Sequence, residues 1–434
     1  MRLKRLTLAI VLAGMGLTAG AQQTLRLSLS EAQQYAVEHN QTMKNADLDV
    51  KKAELERWKT LSSMLPSAKA TFDYQNMLGY EMEMKMGGGA GIKIPLNPNG
   101  TFGVNVAMAL SGAQVVGTML QNLAMEMTDI SRQQTEQQTR SQVKNVYVSI
   151  LVMEETVGLL DSSLANLERL AATSQSAVDV GAAEQVDADK LQVQVASMKS
   201  SINSTKRSLQ MLRNSLILQL GAEVGTQVEL TTNVDDILNV DNATALLMQS
   251  FHPENNYNYQ LLEKNEELAK RNVNMAWMDF LPTVALFYQY SGKTYFGKDE
   301  GMNMTPPNMI GASISMPLLT SGTRYASVKS AKIALQETQN SRRQAEDGLQ
   351  VQFNQLCYDL ASALETYDIQ SRNLDVTKRV FDNVTEKYNY GRASSLEVTT
   401  ASTDIISAQS NYIQAVMSVI SAQVALEDML NMKQ

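Results

Sequence analysis

The pattern of residues 143 to 216 returns 210 positions later in this 434-residue chain, and that internal repeat limits the possible folds more than any single motif. Positions 143, 146, 150, 153, 157, 160, 164, 167, 171 and 174 alternate steps of three and four, and nine of the ten are apolar. Adding 210 gives Phe353, Leu356, Leu360, Ala363, Tyr367, Gln370, Leu374, Thr377, Phe381 and Val384, eight of ten apolar in the same register. Beyond Gly181 and Gly391 the seam resumes: Leu191, Val195, Met198, Ile202, Thr205, Leu209, Leu212 and Leu216 match Ala401, Ile405, Ala408, Tyr412, Ala415, Val419, Ala422 and Leu426. A 3.5-residue period held that long imposes a left-handed supercoil, so each half is expected to be a long helical hairpin. At 1.5 Å per residue the first arm, about 113 to 178, would be ~100 Å long, too long for one globular core.

Two shorter helical stretches precede further structure. Residues 29 to 64 run up to Leu65-Pro66 and residues 254 to 280 up to Leu281-Pro282; such pairs stop a helix and start extended chain. Ser30 with Gln33 reads as a capping box for the first of them. After each pair the period changes to two. Ala70, Phe72, Tyr74 and Leu78 fall on one face, as do Phe102, Val104, Val106, Met108 and Leu110. The second half repeats this with Val284, Leu286, Tyr288 and Tyr290, then Ile310, Ala312, Ile314, Met316 and Leu318. Four strands of ~9 to 11 residues, apolar on one face only, have the dimensions of a transmembrane barrel. Four cannot close one, and open edges in lipid leave unpaired backbone groups costing several kcal/mol each. An open pore therefore calls for about three or more copies of the chain.

The N-terminus carries Arg2, Lys4 and Arg5, an apolar run from Leu6 to Leu17 and Ala19-Gly20-Ala21, the three parts of a secretory signal with cleavage expected after Ala21. Its removal leaves 34 Lys and Arg against 45 Asp and Glu, a net charge of −11, which excludes a nucleic-acid partner on charge grounds. Cys357 is the only cysteine, so neither an intrachain disulfide nor a cysteine metal site is available. Past the signal no run of 18 apolar residues occurs, so membrane insertion is expected to use strands. No enzyme chemistry is legible. His39 and His252 stand alone, and the glycine run at 87 to 91 lacks the lysine and helix of a phosphate loop. Trp58 and Trp277 read as packing or interfacial anchors. Methionine is abundant, 25 residues, with Met82, Met84 and Met86 alternating in one loop and GMNMTPPNM at 301 to 309 in the matching one; thioethers suit Cu(I) or Ag(I), but methionine also fills heptad and strand positions throughout, and filler in loops and strands is the favoured reading.

The order of signal, helix, Leu-Pro, strand, loop, strand, long helix, glycine tip and helix, given twice, resembles the TolC-like outer-membrane efflux proteins. KYNYGRASSLEV (387 to 398) is similar to that family's hairpin tip, and SMPLLTSGTR (315 to 324) to its exit from strand to helix. The resemblance implies a mainly α protein with a membrane β-barrel: a homotrimer of two-repeat chains forming a 12-stranded barrel and a helical periplasmic tunnel. The expected divisions are the signal (1–21), a first repeat (22–220) with strand pair 66–112 and hairpin 113–220, an equatorial linker (221–253), and a second repeat (254–434) with strand pair 282–320 and hairpin 321–431. It also implies outer-membrane lipid, a periplasmic adaptor and an inner-membrane pump as partners, a passive duct for small molecules, and no cofactor. Copper or silver efflux, type I protein secretion and a non-pore helical scaffold are the alternatives.

Gly181 and Gly391 would turn the hairpins at the periplasmic end, where Ala182, Ala183, Ala393 and Ser394 leave room for an adaptor; compact hairpin turns alone would also account for them. The family's acidic constriction maps onto Glu397, while Thr400 replaces the second acid. Three carboxylates near a three-fold axis would repel one another and attract cations. Tyr388, Arg392 and Asp187 match the links that hold the family's tips closed, with Val186 in place of a polar partner.

Overall fold

The computed structural model of the chain describes residues 24–84, 92–233, 237, 240–296 and 306–432. The signal, Met86, the glycine run and residues 301–305 of the second methionine loop lie outside them. Two short helices open the described chain, α1 (Leu29–His39) and α2 (Gln41–Ser62). The single stretch expected over 29 to 64 is broken at Asn40, whose extended backbone ends α1 while its side chain accepts from Thr42 N–H to cap α2. The capping box lies two residues earlier than expected. Ser28, extended at φ −72°, is the cap, and Glu31 rather than Gln33 reaches back to its N–H. Ser30 is already inside the helix and cannot cap it.

Strand β1 (Thr24–Leu27) pairs in parallel with β6 (Gln227–Leu230), joining the segment after the signal to the linker between repeats. Four strands make the main sheet: β2 (Ser67–Gln75), β5 (Asn99–Leu110), β7 (Thr283–Tyr295) and β8 (Asn308–Ser315), antiparallel in that order. Between β2 and β5 the methionine loop forms its own small hairpin, β3 (Glu81–Met84) on β4 (Ile92–Pro95), which the alternation pattern had not separated from loop. Leu78 is not in a strand; it turns at φ 49° and is 90% exposed. Met316 and Leu318 follow the end of β8.

The register lines up the expected apolar positions directly. Phe72 faces Phe102, and Val104 faces both Ala70 and Tyr290. Val106, Tyr288 and Ile310 form one row, and Met108, Leu286 and Ala312 another. The opposite face carries Lys69, Asn105 and Gln289 in one row and Thr71, Gly103 and Ser291 in the next. Gly311 leaves room for the Phe287 ring, whose Cζ would lie 2.4 Å from an added Cβ.

From the sheet descend α3 (Gly112–Asp179) and α7 (Thr323–Asn389), of 68 and 67 residues, each about 100 Å long. Each returns in a 36-residue helix, α4 (Gln185–Leu220) or α8 (Ser395–Leu430). The remaining helices are α5 (Val240–Leu246) in the linker and α6 (Tyr257–Met278), capped by Asn256. Near the sheet α2 and α6 pack beside the upper parts of α3 and α7. Farther down the long hairpins pack on each other. The heptad seams are the core: Val143, Ile150, Leu160 and Leu167 are buried in α3, and Phe353, Leu360 and Phe381 in α7. Near the tips Leu191, Met198 and Ile202 of α4 join Val398, Ala401 and Ile405 of α8. Higher up, Val148 and Val152 of α3 meet Val416, Ile420 and Val424. Thus α8 touches both helices of the other hairpin. That burial explains why α8 alone, among the described helices, is long and apolar enough to cross a membrane by length and composition.

Candidate functional site at the hairpin tips

Both tips are built by the same backbone device, 210 residues apart. Gly181 N–H donates to Val178 O and Ala182 N–H to Ala177 O; Gly391 N–H donates to Tyr388 O and Arg392 N–H to Lys387 O. These paired bonds close a helix end only if the glycine takes the left-handed region, and φ is 73° at Gly181 and 68° at Gly391. Ala182 and Ser394 are exposed and Ala183 and Ala393 half-buried, so the turns present small side chains at the end of the molecule.

Below the second tip, α8 starts with a full capping box. Ser394 N–H donates to Glu397 Oε2 at 2.6 Å, and Glu397 N–H donates to Ser394 Oγ at 3.2 Å. The Ser394 backbone N–H and then its hydroxyl hold the Glu397 carboxyl below its usual range, so it is ionised at neutral pH. The residue read from sequence as a constriction acid is thus also a helix cap, a role a sequence pattern of Ser-x-x-Glu predicts. Glu397 and Thr400 are exposed one turn apart, with Asp404 exposed one turn beyond. The whole of α8 contains no Lys or Arg.

Asp187, Tyr388 and Arg392 are near this point but do not form a link within one chain. Asp187 accepts from Ser395 Oγ, and Lys190 Nζ stands 3.5 Å from it; the Ser395 bond lowers its pKa first, the lysine next after burial opposes it. Tyr388 packs against the apolar tip core. Arg392 is exposed, and its side chain has no partner among the described residues. Ser395, expected from the sequence only as a small residue that lets another helix approach, therefore joins the two tips within the chain through Asp187. A second polar tie lies deeper, where buried Gln194 donates to Ser402 Oγ at 3.2 Å.

Other sequence candidates fall elsewhere. His39 stacks on Tyr35 with centroids 4.0 Å apart, and His252 is exposed beside Glu254. Trp277 sits at the foot of the sheet against Phe280, with Lys332 over its ring. Among the described residues no cluster of His, Cys, Asp and Glu is arranged to hold a metal.

The profile of the outer membrane efflux protein family matches residues 253–432. That match spans the second half of the chain and under half of its length. Solved channels share its fold over nearly their whole length. The CusC channel is 16% identical with a TM-score of 0.72, over 93% of this chain and 91% of that one. VceC from Vibrio cholerae is 14% identical at 0.72, over 93% and 95%. The open-state MtrE channel of Neisseria gonorrhoeae is 17% identical at 0.68, over 93% and 88%. At these identities the likeness is one of fold. No curated protein matches the sequence significantly.

Proposed function

We propose that the protein is the outer-membrane exit duct of a tripartite efflux system, a passive homotrimeric channel for small molecules delivered by an inner-membrane pump through a periplasmic adaptor. It lies in the outer membrane of a Gram-negative bacterium and extends into the periplasm. The observation that carries this reading is the sheet: one continuous apolar face, with Phe72, Ile310 and Ile314 69%, 84% and 73% exposed, and two edges, β2 and β8, that have no strand partner among the described residues. Water penalises that face and lipid penalises those edges, so the stable solution joins β8 of one copy to β2 of the next. Three copies give 12 strands, enough to leave an aqueous lumen.

The helical hairpins then form the periplasmic tunnel, and the tips its closed end. Arg392 and Tyr388 hold the tips across the boundary between copies, since Arg392 is unpartnered among the described residues of its own chain, and three Glu397 carboxylates ring the opening beside Thr400. The small tip residues Gly181, Ala182, Ala183, Gly391, Ala393 and Ser394 receive the adaptor. Mass determination of the detergent-extracted mature protein tests the assembly: three chains support the duct, and a monomer soluble without detergent would replace it with the scaffold.

A further inference from the structure

Where the two repeats of one chain meet, α3, α7 and α8 leave a groove of about 320 Å³, within the size range of small-molecule sites. It lies on the tip side of the packed level of Val148, Val416 and Ile420. Leu159, Phe381, Ile405 and Tyr412 form its apolar walls, and the Tyr412 ring is backed by Tyr367 with centroids 5.9 Å apart. The rim carries three carboxylates, Glu155, Asp375 and Asp382, against one ammonium, Lys378. All four are exposed, and none makes an ion pair among the described residues. Charged rims are common on helical surfaces and alone mark nothing.

The inner end of the groove is different. Gln409 is only 4% exposed, yet its Oε1 has no hydrogen-bond partner among the described residues. Buried acceptors are ordinarily paired. Other buried polar side chains on this face of α8 obey that rule: Ser402 accepts from Gln194 at 3.2 Å, and Gln423 donates to Glu427 Oε1 at 2.7 Å. Thr156 on the facing helix gives its hydrogen to Val152 O at 2.7 Å and leaves none for Gln409. Past Gln409 the space shrinks to about 10 Å³ beside Val152, Ile413 and Val416, room for one water at most. Gln409 and Glu155 line both the narrow end and the groove, so an open acceptor and a carboxylate stand together at its inner end.

We propose that this groove is a binding site for an amphiphilic organic cation with an N–H, of the arylalkylammonium class. The ammonium donates to Gln409 Oε1 beside the Glu155 carboxylate, and the apolar body lies against Leu159, Phe381 and Tyr412. Asp375 and Asp382 add attraction at the mouth. Each part selects: carboxylates alone would take any cation, and an acceptor without apolar walls would hold water. Because α3 belongs to the first repeat and α7 and α8 to the second, the bound cation ties the two hairpins of one chain together. The site is built within one chain and does not depend on the duct reading.

Calorimetric titration of the detergent-extracted mature protein with 4-phenylbutylamine tests it, with the titration into detergent alone subtracted. Saturable binding is expected, weakened about tenfold by Gln409→Leu, which removes the acceptor and keeps the site apolar. Glu155→Gln, at an exposed position that folding does not need, is expected to weaken it a few-fold. Two analogues should bind less tightly than the amine: 4-phenylbutan-1-ol, which lacks the charge, and 4-phenylbutyltrimethylammonium, which lacks the N–H. Should Gln409→Leu fail to fold, Glu155→Gln and the analogues decide the matter. Absence of saturable binding means that the groove holds only water at Gln409 and overturns the site. Equal affinity for the amine and both analogues, or affinity unchanged in the variants, reveals partition onto apolar surface and overturns it too. Neither result touches the duct, which the mass determination tests separately.

Discussion

Tyr147→Phe removes one hydroxyl from the level where the two repeats are tied together. The side chain is fully buried; its O–H donates to Leu27 O at 2.9 Å and accepts from Thr231 N–H and Thr232 N–H, both at 3.2 Å. Three partners do not mean three losses. Thr231 N–H also donates to Leu27 O at 3.2 Å, so those two groups keep each other when the hydroxyl goes. Thr232 Oγ1, also 3.2 Å from the hydroxyl, keeps the Leu29 N–H, so only the half-buried Thr232 N–H is stranded; a fully buried donor without an acceptor costs about 1–3 kcal/mol, and partial burial puts this one at no more than the middle of that range. The phenyl ring stays, so no cavity term is added. A loss of ~2 kcal/mol corresponds to roughly 30-fold easier opening of β1 against β6. Hydrogen exchange followed by mass spectrometry on segments covering 24–32 and 227–233 reads this directly. Exchange there is expected to speed by about that factor, with the α3/α4 tip unchanged. Unaltered exchange in both segments, or equal acceleration throughout, would refute the assignment of Tyr147 as a local fastener.

Gly221→Ala should abolish stable assembly, because φ is 70° and the new Cβ would lie 2.4 Å from the His39 carbonyl oxygen, whereas Gly391→Ala meets open space and costs only about 1–2 kcal/mol of backbone strain; yields of membrane-extracted protein compare the two. Burial raises the Asp428 pKa to about 6 from 3.8, against the opposing bond from Ser141. Its protonated form is favoured by folding, so stability is lost as pH rises from about 4 to about 6, and Asp428→Asn should recover on the order of 2 kcal/mol above that window, read as a higher unfolding temperature at pH 8 and little change at pH 4. Arg392→Ala and Tyr388→Phe are expected to loosen the tips and raise resting leak, scored as increased antibiotic sensitivity; unchanged sensitivity in both removes them from the gate.

The fold was legible because both of its periods survive in the sequence. The 3.5-residue seam names residues such as Leu160, Leu191 and Leu360 that are buried, and the alternation names Val106, Tyr288 and Ile310, which form one row across three strands. Where local chemistry competes with period, the reading slipped. Asn40 breaks a helix because its side chain caps the next one, a choice invisible to apolar spacing, and Ser28 displaces Ser30 because it alone stands outside the helix with Glu31 three residues on. The tip was half legible. Glycine spacing located both turns, but the partner of Asp187 turned out to be Ser395, since a short hydroxyl beside a buried helix start reaches it within the chain and a long exposed arginine does not.

Single-channel recording in a planar bilayer, wild type beside Glu397→Gln, tests the duct most directly. Glutamine keeps the capping box with Ser394 and removes only the charge, so a change in current reports on the ring and not on a frayed helix. The account predicts small cation-selective currents in the wild type, with selectivity and divalent block reduced in the variant. A trimer that passes no current in either form, or identical selectivity in both, would contradict it.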